Sequence, residues 1–152
     1  MTRATQPEAR ALLAAFLESD PHYLANSGLY GHRGGAALDQ ALELFLERPD
    51  QGFVWLAFDD DDRLAVGVCV ISLVISTSLG RIVAKLDDMF VADGHRGQGI
   101  GTALVMRLQD VLRHEGIGRI DTAVYAENAG AERFYVRLGF RSLREDRLTL
   151  LL

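Results

Sequence analysis

The sequence is poor in cysteine, in lysine and in long apolar runs, and each shortage excludes a class of protein. Its 152 residues include one cysteine, Cys69, so an internal disulfide is impossible. Because Cys69 lies inside an apolar stretch, we expect a buried, inert thiol and not a nucleophile. The longest apolar run, RLAVGVCVISLVIS (63–76), is too short to cross a bilayer and is typical of a strand. With no apolar signal core at the N-terminus, we expect a soluble cytoplasmic protein without membrane association.

The charge balance argues against nucleic acid as a partner. The formal net charge is −5, so a basic binding surface is not expected. Residues 1–95 hold seven basic and fourteen acidic side chains, whereas residues 96–152 hold nine basic and seven acidic ones. An anionic ligand is therefore favoured by the second part and a cationic one by the first. The single lysine, Lys85, indicates no function by itself, and the four histidines lack the spacing of metal ligands, so we expect no metal.

The hydrophobic periodicity predicts a single α/β (α+β) domain over residues 1–152 with a mixed sheet. No linker and no internal repeat divides the chain. Helical patterns are predicted over 6–20, 36–50, 99–116 and 129–139, and strands over 52–60, 63–76, 80–91 and 119–128, with one or two closing strands in 140–152. The turn-rich stretch 21–35 is predicted to be a loop.

The stretch DGHRGQGIGTAL (93–104) places four glycines between a predicted strand and a predicted helix. Glycines let a ligand approach the unpaired N–H groups and the positive dipole at a helix N-terminus, which together cradle a phosphate. Arg96 adds a permanent charge. The dinucleotide fingerprint G-x-G-x-x-G does not fit, because Thr102 or Leu104 falls at its last position, and the stretch lacks the lysine of the nucleotide-triphosphate loop.

The pattern that does fit is Arg96-x-x-Gly99-x-Gly101, which resembles the coenzyme-A-binding signature of the GNAT superfamily of N-acetyltransferases. The blocks LDDMFVADGHRGQGIGTALV and AVYAENAGAERFYVRLGF resemble the family's fourth strand with its cofactor loop and its Asn-x-x-Ala-x-x-Phe-Tyr-x-x-x-Gly-Phe block. Together they cover residues 86–140 in the family's order, whereas the N-terminal part resembles the family only in its helix-helix-strand order. The resemblance implies a mixed, mostly antiparallel sheet flanked by helices.

The resemblance also implies a cofactor, acetyl-CoA, with CoA as a product. In the family the loop N–H groups grip the pyrophosphate, and the pantetheine arm pairs with the main chain of the preceding strand. Carried over, the pyrophosphate ligands are Arg96, Gly97, Gln98, Gly99, Ile100 and Gly101, and the strand residues are Met89, Phe90 and Val91. Asn128 matches an asparagine that caps the following helix, contacts the cofactor, or does both.

Three groups are implied in catalysis. Tyr135 stands at the family's proton-donor tyrosine and would protonate the departing thiolate, while a strand N–H would bind the oxyanion. LDDMFV resembles a strand of the polyamine-acetyltransferase branch, with Asp87 where that branch has a longer glutamate. Asp87 is thus a candidate for the base, acting through a water, or for attracting the amine. Asp88 would point to the opposite face of a regular strand and could contact the acceptor, unless a bulge alters the alternation.

The acceptor is implied to be a primary amine: a small polyamine-like or amino-acid-like molecule, or a protein amine. Acceptor choice in the family comes largely from the N-terminal helices and their loop, where Tyr23, Tyr30 and His32 are candidate wall residues. Because no residue stands out as an acyl carrier, direct attack in a ternary complex is expected. A non-catalytic acyl-CoA sensor and a transferase for longer acyl groups are the alternatives, and a homodimer is possible.

Overall fold

A computed structural model of the chain describes residues 1–28, 34–59, 63–145 and 148–151. Its sheet has the order β1-β2-β3-β4, with β1 at Gly52–Phe58, β2 at Ala65–Ser76, β3 at Arg81–Val91 and β4 at Ile120–Thr122. The pairs β1–β2 and β2–β3 are antiparallel, and β3–β4 is parallel. The predicted mixed, mostly antiparallel sheet flanked by helices is therefore confirmed.

The described residues form five α-helices, and all but α2 follow the predicted periodicity. After a short 3₁₀ turn at Arg3–Thr5 they are α1 (Gln6–Ser19), α2 (Pro21–Ala25), α3 (Gly35–Glu47), α4 (Ile100–His114) and α5 (Ala129–Arg137). Helix α4 ends where the sequence predicted, because Gly116 adopts a φ of +74° and the Ile117 N–H donates to the Leu112 carbonyl. None of the helices in the described ranges is long and apolar enough to cross a membrane.

Three sequence predictions are wrong. The stretch expected to be a loop contains the five-residue helix α2, capped by the Asp20 side chain, which accepts from the Tyr23 N–H at 2.7 Å. The strand predicted over 119–128 is reduced to the three residues of β4. No closing strand forms in the described residues 140–145 and 148–151.

The two faces of the sheet carry separate hydrophobic cores. Side chains of β2 alternate between them: Val68 and Val70 pack with α1 and α3, whereas Cys69 and Ile71 pack with α4 and α5. All four side chains are buried, which explains why β2 has an almost unbroken apolar sequence. The site described next lies where β3 passes between the two cores.

Candidate active site

The edge of β3 that faces β4 is open along its second half. Pairing between these strands covers Ala84, Lys85 and Leu86 and ends there. The last rung is closed by the Thr122 hydroxyl, which donates to the Leu86 carbonyl at 3.0 Å. Residues 88–91 of β3 pair with β2, and none of residues 87–91 pairs with β4, so the two parallel strands diverge beyond Leu86. Main-chain groups on that edge are available to an extended ligand.

Strand alternation decides which of the predicted pantetheine-binding residues face the open edge. The Ala92 N–H donates to the Val66 carbonyl on the β2 side at 2.9 Å. Because the orientation of the peptide groups alternates along an antiparallel strand, Phe90 also turns its main chain to β2, and Met89 and Val91 turn theirs to the open edge. Of the three predicted residues, Met89 and Val91 therefore have the geometry for pairing.

The glycine-rich loop leads directly from this edge to the N-terminus of α4. Gly94, Gly97 and Gly99 have φ values of +85°, +78° and +85°, which residues with a side chain rarely adopt. A Cβ at any of the three would meet no atom within 4 Å, so the loop surface is open to solvent. Gly99 is the N-cap, no side chain caps it, and the first backbone N–H groups of α4 point outward. The loop thus has the form of an anion cradle.

The fourth glycine has a different role, which the sequence did not reveal. A Cβ on Gly101 would lie 3.0 Å from the Met89 Cε and 3.7 Å from the Phe134 Cε2. Helix α4 therefore begins in close contact with β3 and α5, and a side chain at this position would require the terminal methyl group of Met89 to move. Gly101 brings the α4 N-terminus to the edge where Met89 lies.

Arg96 is directed to the end of β3 rather than to the α4 N-terminus. Its Nε donates to the Val91 carbonyl at 3.0 Å, and its Nη2 lies 3.3 Å from the Asp93 carboxylate. The guanidinium carbon lies 5.2 Å from the centre of the Phe90 ring. These contacts hold the loop on the strand while leaving further guanidinium N–H groups for a ligand.

Tyr135, on α5, is buried at the point where the strands diverge. Its hydroxyl lies 3.6 Å from the Met89 sulfur, to which it donates. The ring is held between Phe134 and Phe140, whose centroids lie 5.1 and 5.2 Å away. Phe140 returns to this position because Gly139 has a φ of +92° and the Phe140 N–H donates to the Tyr135 carbonyl at the end of α5.

The environment of Tyr135 keeps its hydroxyl protonated. Burial raises the pKa of Tyr135 to about 12, an effect that hydrogen bonding to Thr122 opposes. The Cys69 thiol and the Asp88 carboxylate add to the rise in this pKa. Tyr135 can therefore donate a proton at neutral pH but cannot serve as a base. Burial also raises the pKa of Cys69 to about 12, as an inert core thiol requires.

A β-bulge interrupts the regular strand geometry at the two candidate aspartates, Asp87 and Asp88. The register shifts so that Asp88 faces Val70 while Leu86 faces Ile71, which leaves Asp87 as the extra residue. Leu86 and Met89, three positions apart, both pack into the core with α4 and α5. The simple alternation expected of Asp87 and Asp88 is therefore lost.

The Asp87 carboxylate already has two partners. The Ser72 hydroxyl donates to its Oδ2 at 2.9 Å, and the Lys85 Nζ lies 2.8 Å from its Oδ1. A carboxylate offers about four lone-pair positions, so Asp87 can accept a further hydrogen bond. The sequence analysis missed Ser72 because its contact with Asp87 depends on the register between β2 and β3. It missed the Lys85–Asp87 pair although the two residues lie two positions apart on one strand, where side chains share a face.

The comparison with known families decides which family this architecture represents. The model of the acetyltransferase (GNAT) family matches residues 11–140. The chain belongs to the GNAT family. Its fold is similar to that of a solved probable acetyltransferase, with a TM-score of 0.80 at 22% identity, covering 100% of this chain and 94% of that one. A solved complex of AAC(6')-Iy with the bisubstrate analogue CoA-S-monomethyl-acetylneamine has a TM-score of 0.74 at 19% identity, covering 100% and 95%.

Curated relatives match over a shorter range. Thialysine N-epsilon-acetyltransferase of Mus musculus is 35% identical over 88 residues, which cover 58% of this chain and 51% of that protein. Mycothiol acetyltransferase of Beutenbergia cavernae is 35% identical over 91 residues, which cover 60% of this chain and 29% of that protein. The match thus spans about a third to a half of the length of these relatives.

Helix α2 of this GNAT chain packs against the segment after β4. The His22 and Tyr125 rings stack with centroids 3.4 Å apart and planes 12° from parallel. Tyr23, predicted as a wall residue, is half-buried on the same short helix. Tyr30 and His32, also predicted there, lie outside the described residues. His22 and Tyr125 were missed, because their pairing joins segments about 100 positions apart.

Asn128 lies at the start of α5, as the sequence predicted. Its Oδ1 accepts from the Ala131 N–H at 2.9 Å and so caps the helix. The same side chain keeps its amide N–H₂ group for another partner. Within the described ranges, no group of three or more histidine, cysteine, aspartate or glutamate side chains is arranged to hold a metal ion.

Proposed function

We propose that this chain is an acetyl-CoA-dependent N-acetyltransferase that transfers the acetyl group to a primary amine by direct attack in a ternary complex. The observation that carries the proposal is the alignment of three features: the open N-terminus of α4, the unpaired edge of β3 and the buried phenol of Tyr135. They lie in the order in which the diphosphate, the pantetheine arm and the thioester follow one another in acetyl-CoA. We take residues 1–152 as one catalytic domain.

The residues at the α4 N-terminus fit a diphosphate. The N–H groups of residues 96–101, including Gly97, Gln98, Gly99 and Ile100, supply donors, and the helix dipole favours the negative charge. The positive φ values of the loop glycines are the conformations from which successive N–H groups form an anion nest. Arg96 contributes a charge from the end of β3, where its guanidinium is anchored.

The pantetheine arm is proposed to lie along the open edge of β3. Met89 and Val91 offer main-chain groups there, and an amide-bearing extended chain pairs with such an edge as an added strand does. Following the arm away from α4 leads to the point where β3 and β4 diverge, beside Met89 and Tyr135. The position that we propose for the thioester sulfur is therefore close to the Tyr135 hydroxyl.

The reaction then needs three groups. The neutral amine attacks the thioester carbonyl carbon, and a β3 N–H freed by the divergence of the strands stabilises the tetrahedral oxyanion. The C–S bond breaks as the intermediate collapses, and the Tyr135 phenol donates its proton to the departing CoA thiolate. Asp87 accepts from the amine, directly or through a water, and removes the proton that the amine must lose. Asp88 adds negative charge near the acceptor.

The named relatives guide the acceptor class. One curated relative is a thialysine N-epsilon-acetyltransferase and another a mycothiol acetyltransferase, so a small-molecule amine is the acceptor class that we propose. The stacked rings of His22 and Tyr125, with Tyr23 beside them, are proposed to form one wall of its site. A cytoplasmic location and a homodimer stay predictions.

The proposal is tested by thiol release from acetyl-CoA over a panel of primary amines, with CoA binding followed by calorimetry. We expect binding of acetyl-CoA and acetylation of at least one amine, with the N-acetyl product identified by mass spectrometry. Binding of acetyl-CoA without turnover of any amine would indicate the sensor alternative. Absence of binding at moderate salt would remove the cofactor assignment altogether.

A further inference from the structure

A charged pair lies beside the bulge, on the face of the sheet that the cofactor does not use. Leu86 and Met89 pack toward α4 and α5, the side from which the loop delivers the cofactor. On the other face of the sheet, Lys85 lies opposite Ser72 of β2. Ser72 donates a hydrogen bond to the Asp87 carboxylate, and Lys85 forms an ion pair with it. In the proposed complex the cofactor reaches the thioester position from the α4 and α5 side. The acceptor amine therefore has to approach from the other face of the sheet.

The Lys85–Asp87 pair is accessible there. The two side chains are 39% and 26% exposed, so a small molecule can reach both. The Lys85 ammonium lies 2.8 Å from one Asp87 oxygen and has three N–H donors, of which this contact occupies one. Lys85 also faces Asp121 across the β3–β4 register, but Asp121 is paired with Arg119 through two contacts of 2.7 and 2.9 Å.

The pair changes which acceptor the site attracts. Asp87 alone would attract a cationic amine, and the acidic first part of the chain favours the same class. With the Lys85 ammonium on its oxygen, the pair is neutral and presents a positive and a negative end side by side. A purely cationic polyamine meets repulsion at Lys85, whereas a zwitterion matches both ends.

Resting on the proposed function, we infer that Lys85 binds a carboxylate of the acceptor, so that the acceptor is an amino-acid-like amine and not a polyamine. The acceptor nitrogen lies beside Asp87, and its carboxylate takes the free N–H donors of Lys85. Ser72 holds Asp87 in place by donating to Oδ2. Lys85 is thus a specificity-determining residue of the acceptor site.

The test uses acceptors in matched pairs that differ only by a carboxylate: glycine and methylamine, β-alanine and ethylamine, 4-aminobutyrate and propylamine, and L-lysine and cadaverine. For each pair the ratio of kcat/KM with and without the carboxylate is measured. We expect the wild-type protein to prefer the carboxylated member of at least one pair by about tenfold or more, the size of one charge-assisted hydrogen bond. The spacing with the largest ratio reports the distance between the two charges.

Three variants complete the experiment. Lys85→Met keeps the length of the side chain and removes the charge, and we expect the ratio to fall toward one through a higher KM for the carboxylated acceptor. Lys85→Arg keeps a cation and should retain most of the preference. Arg113→Met removes a cation that pairs with Asp110 within α4 and has no contact with the Lys85–Asp87 pair, and it should leave the ratio unchanged. Circular dichroism of each variant checks folding.

The outcomes separate this inference from the proposed function. Acetylation of amines with no preference for any carboxylated member, or a preference that survives in Lys85→Met, overturns the role of Lys85 alone. Absence of acetylation across all pairs, with CoA bound, overturns the proposed function and this inference with it. A preference that disappears in Lys85→Met and persists in Lys85→Arg and Arg113→Met supports both.

Discussion

The hydroxyl of Tyr135 donates to the sulfur of Met89 across 3.6 Å, so the phenol already faces a sulfur atom at the point where β3 and β4 diverge. A thioester sulfur lying along the same edge would replace Met89 as the acceptor. Under the proposed function the phenol would protonate the departing thiolate from this position, and burial keeps the phenol proton in place at neutral pH.

Replacing Tyr135 by phenylalanine tests its role as proton donor. The Tyr135→Phe variant keeps the ring between Phe134 and Phe140 and removes only the hydroxyl. We expect kcat to fall by about a hundredfold, the lower range for loss of a general acid, with an unchanged dissociation constant for CoA. Thiol-release assays measure kcat, and calorimetry measures the dissociation constant for CoA. Unchanged turnover would remove Tyr135 from the mechanism.

Replacing Gly99 by aspartate tests the anion cradle. An aspartate N-cap suits a helix and tolerates a left-handed backbone, so α4 should persist, but its carboxylate would occupy the N–H groups proposed for the diphosphate. We expect CoA affinity to fall by about a hundredfold, as loss of several charge-assisted hydrogen bonds implies. Calorimetry with CoA measures the change.

Gly80→Asp is the matched control for this variant. Gly80 lies in the turn between β2 and β3 with a φ of +62° and, like Gly99, has no atom within 4 Å of an added Cβ. It should bear the same backbone strain and the same added charge and bind CoA normally. Equal binding by the two variants would place the diphosphate elsewhere.

The raised pKa of Tyr135 predicts a pH-dependent stability. Because the folded protein holds the phenol proton more tightly than the unfolded chain, this stabilisation is complete below pH 10 and is lost as the pH rises toward about 12. Between pH 9 and 11 the unfolding free energy should fall by about 1 kcal/mol from this group. Urea denaturation of the wild type and of Tyr135→Phe measures it, and parallel pH profiles for the two proteins would contradict the assignment.

The sequence predicted the features whose conformation depends on residues close together in the chain. The glycine-rich loop and the block around Tyr135 lie in continuous stretches whose backbone conformations are set by residues within a few positions, such as Gly99 and Gly139. The position of the loop between β3 and α4, and that of Tyr135 on α5, were therefore predictable. The start of α2 also carried a local signal, Asp20 followed by Pro21, which is a typical N-cap and first-turn pair.

Features that depend on pairing across the sheet were not predictable. The bulge at Asp87 arises from the register between β2 and β3, and that register brings Ser72 to the Asp87 carboxylate. The contact of Lys85 with the same carboxylate is local, because the two residues lie two positions apart on β3. The extent of β4 was overestimated because an alternating pattern does not reveal where a neighbouring strand diverges. The alternating apolar residues after Phe140 were misleading for the same reason, since a strand needs an edge with which to pair.

The stacked rings of His22 and Tyr125 predict an effect on the acceptor alone. They join α2 to the segment after β4. His22→Ala should raise the KM for the acceptor by about threefold to tenfold, as the loss of one aromatic pair implies, and leave the KM for acetyl-CoA unchanged. In a double-mutant cycle with Tyr125→Leu the two changes should not be additive, because each removes the same contact. Additive effects, or an equal rise in the KM for acetyl-CoA, would show that the pair supports the fold and not the acceptor site.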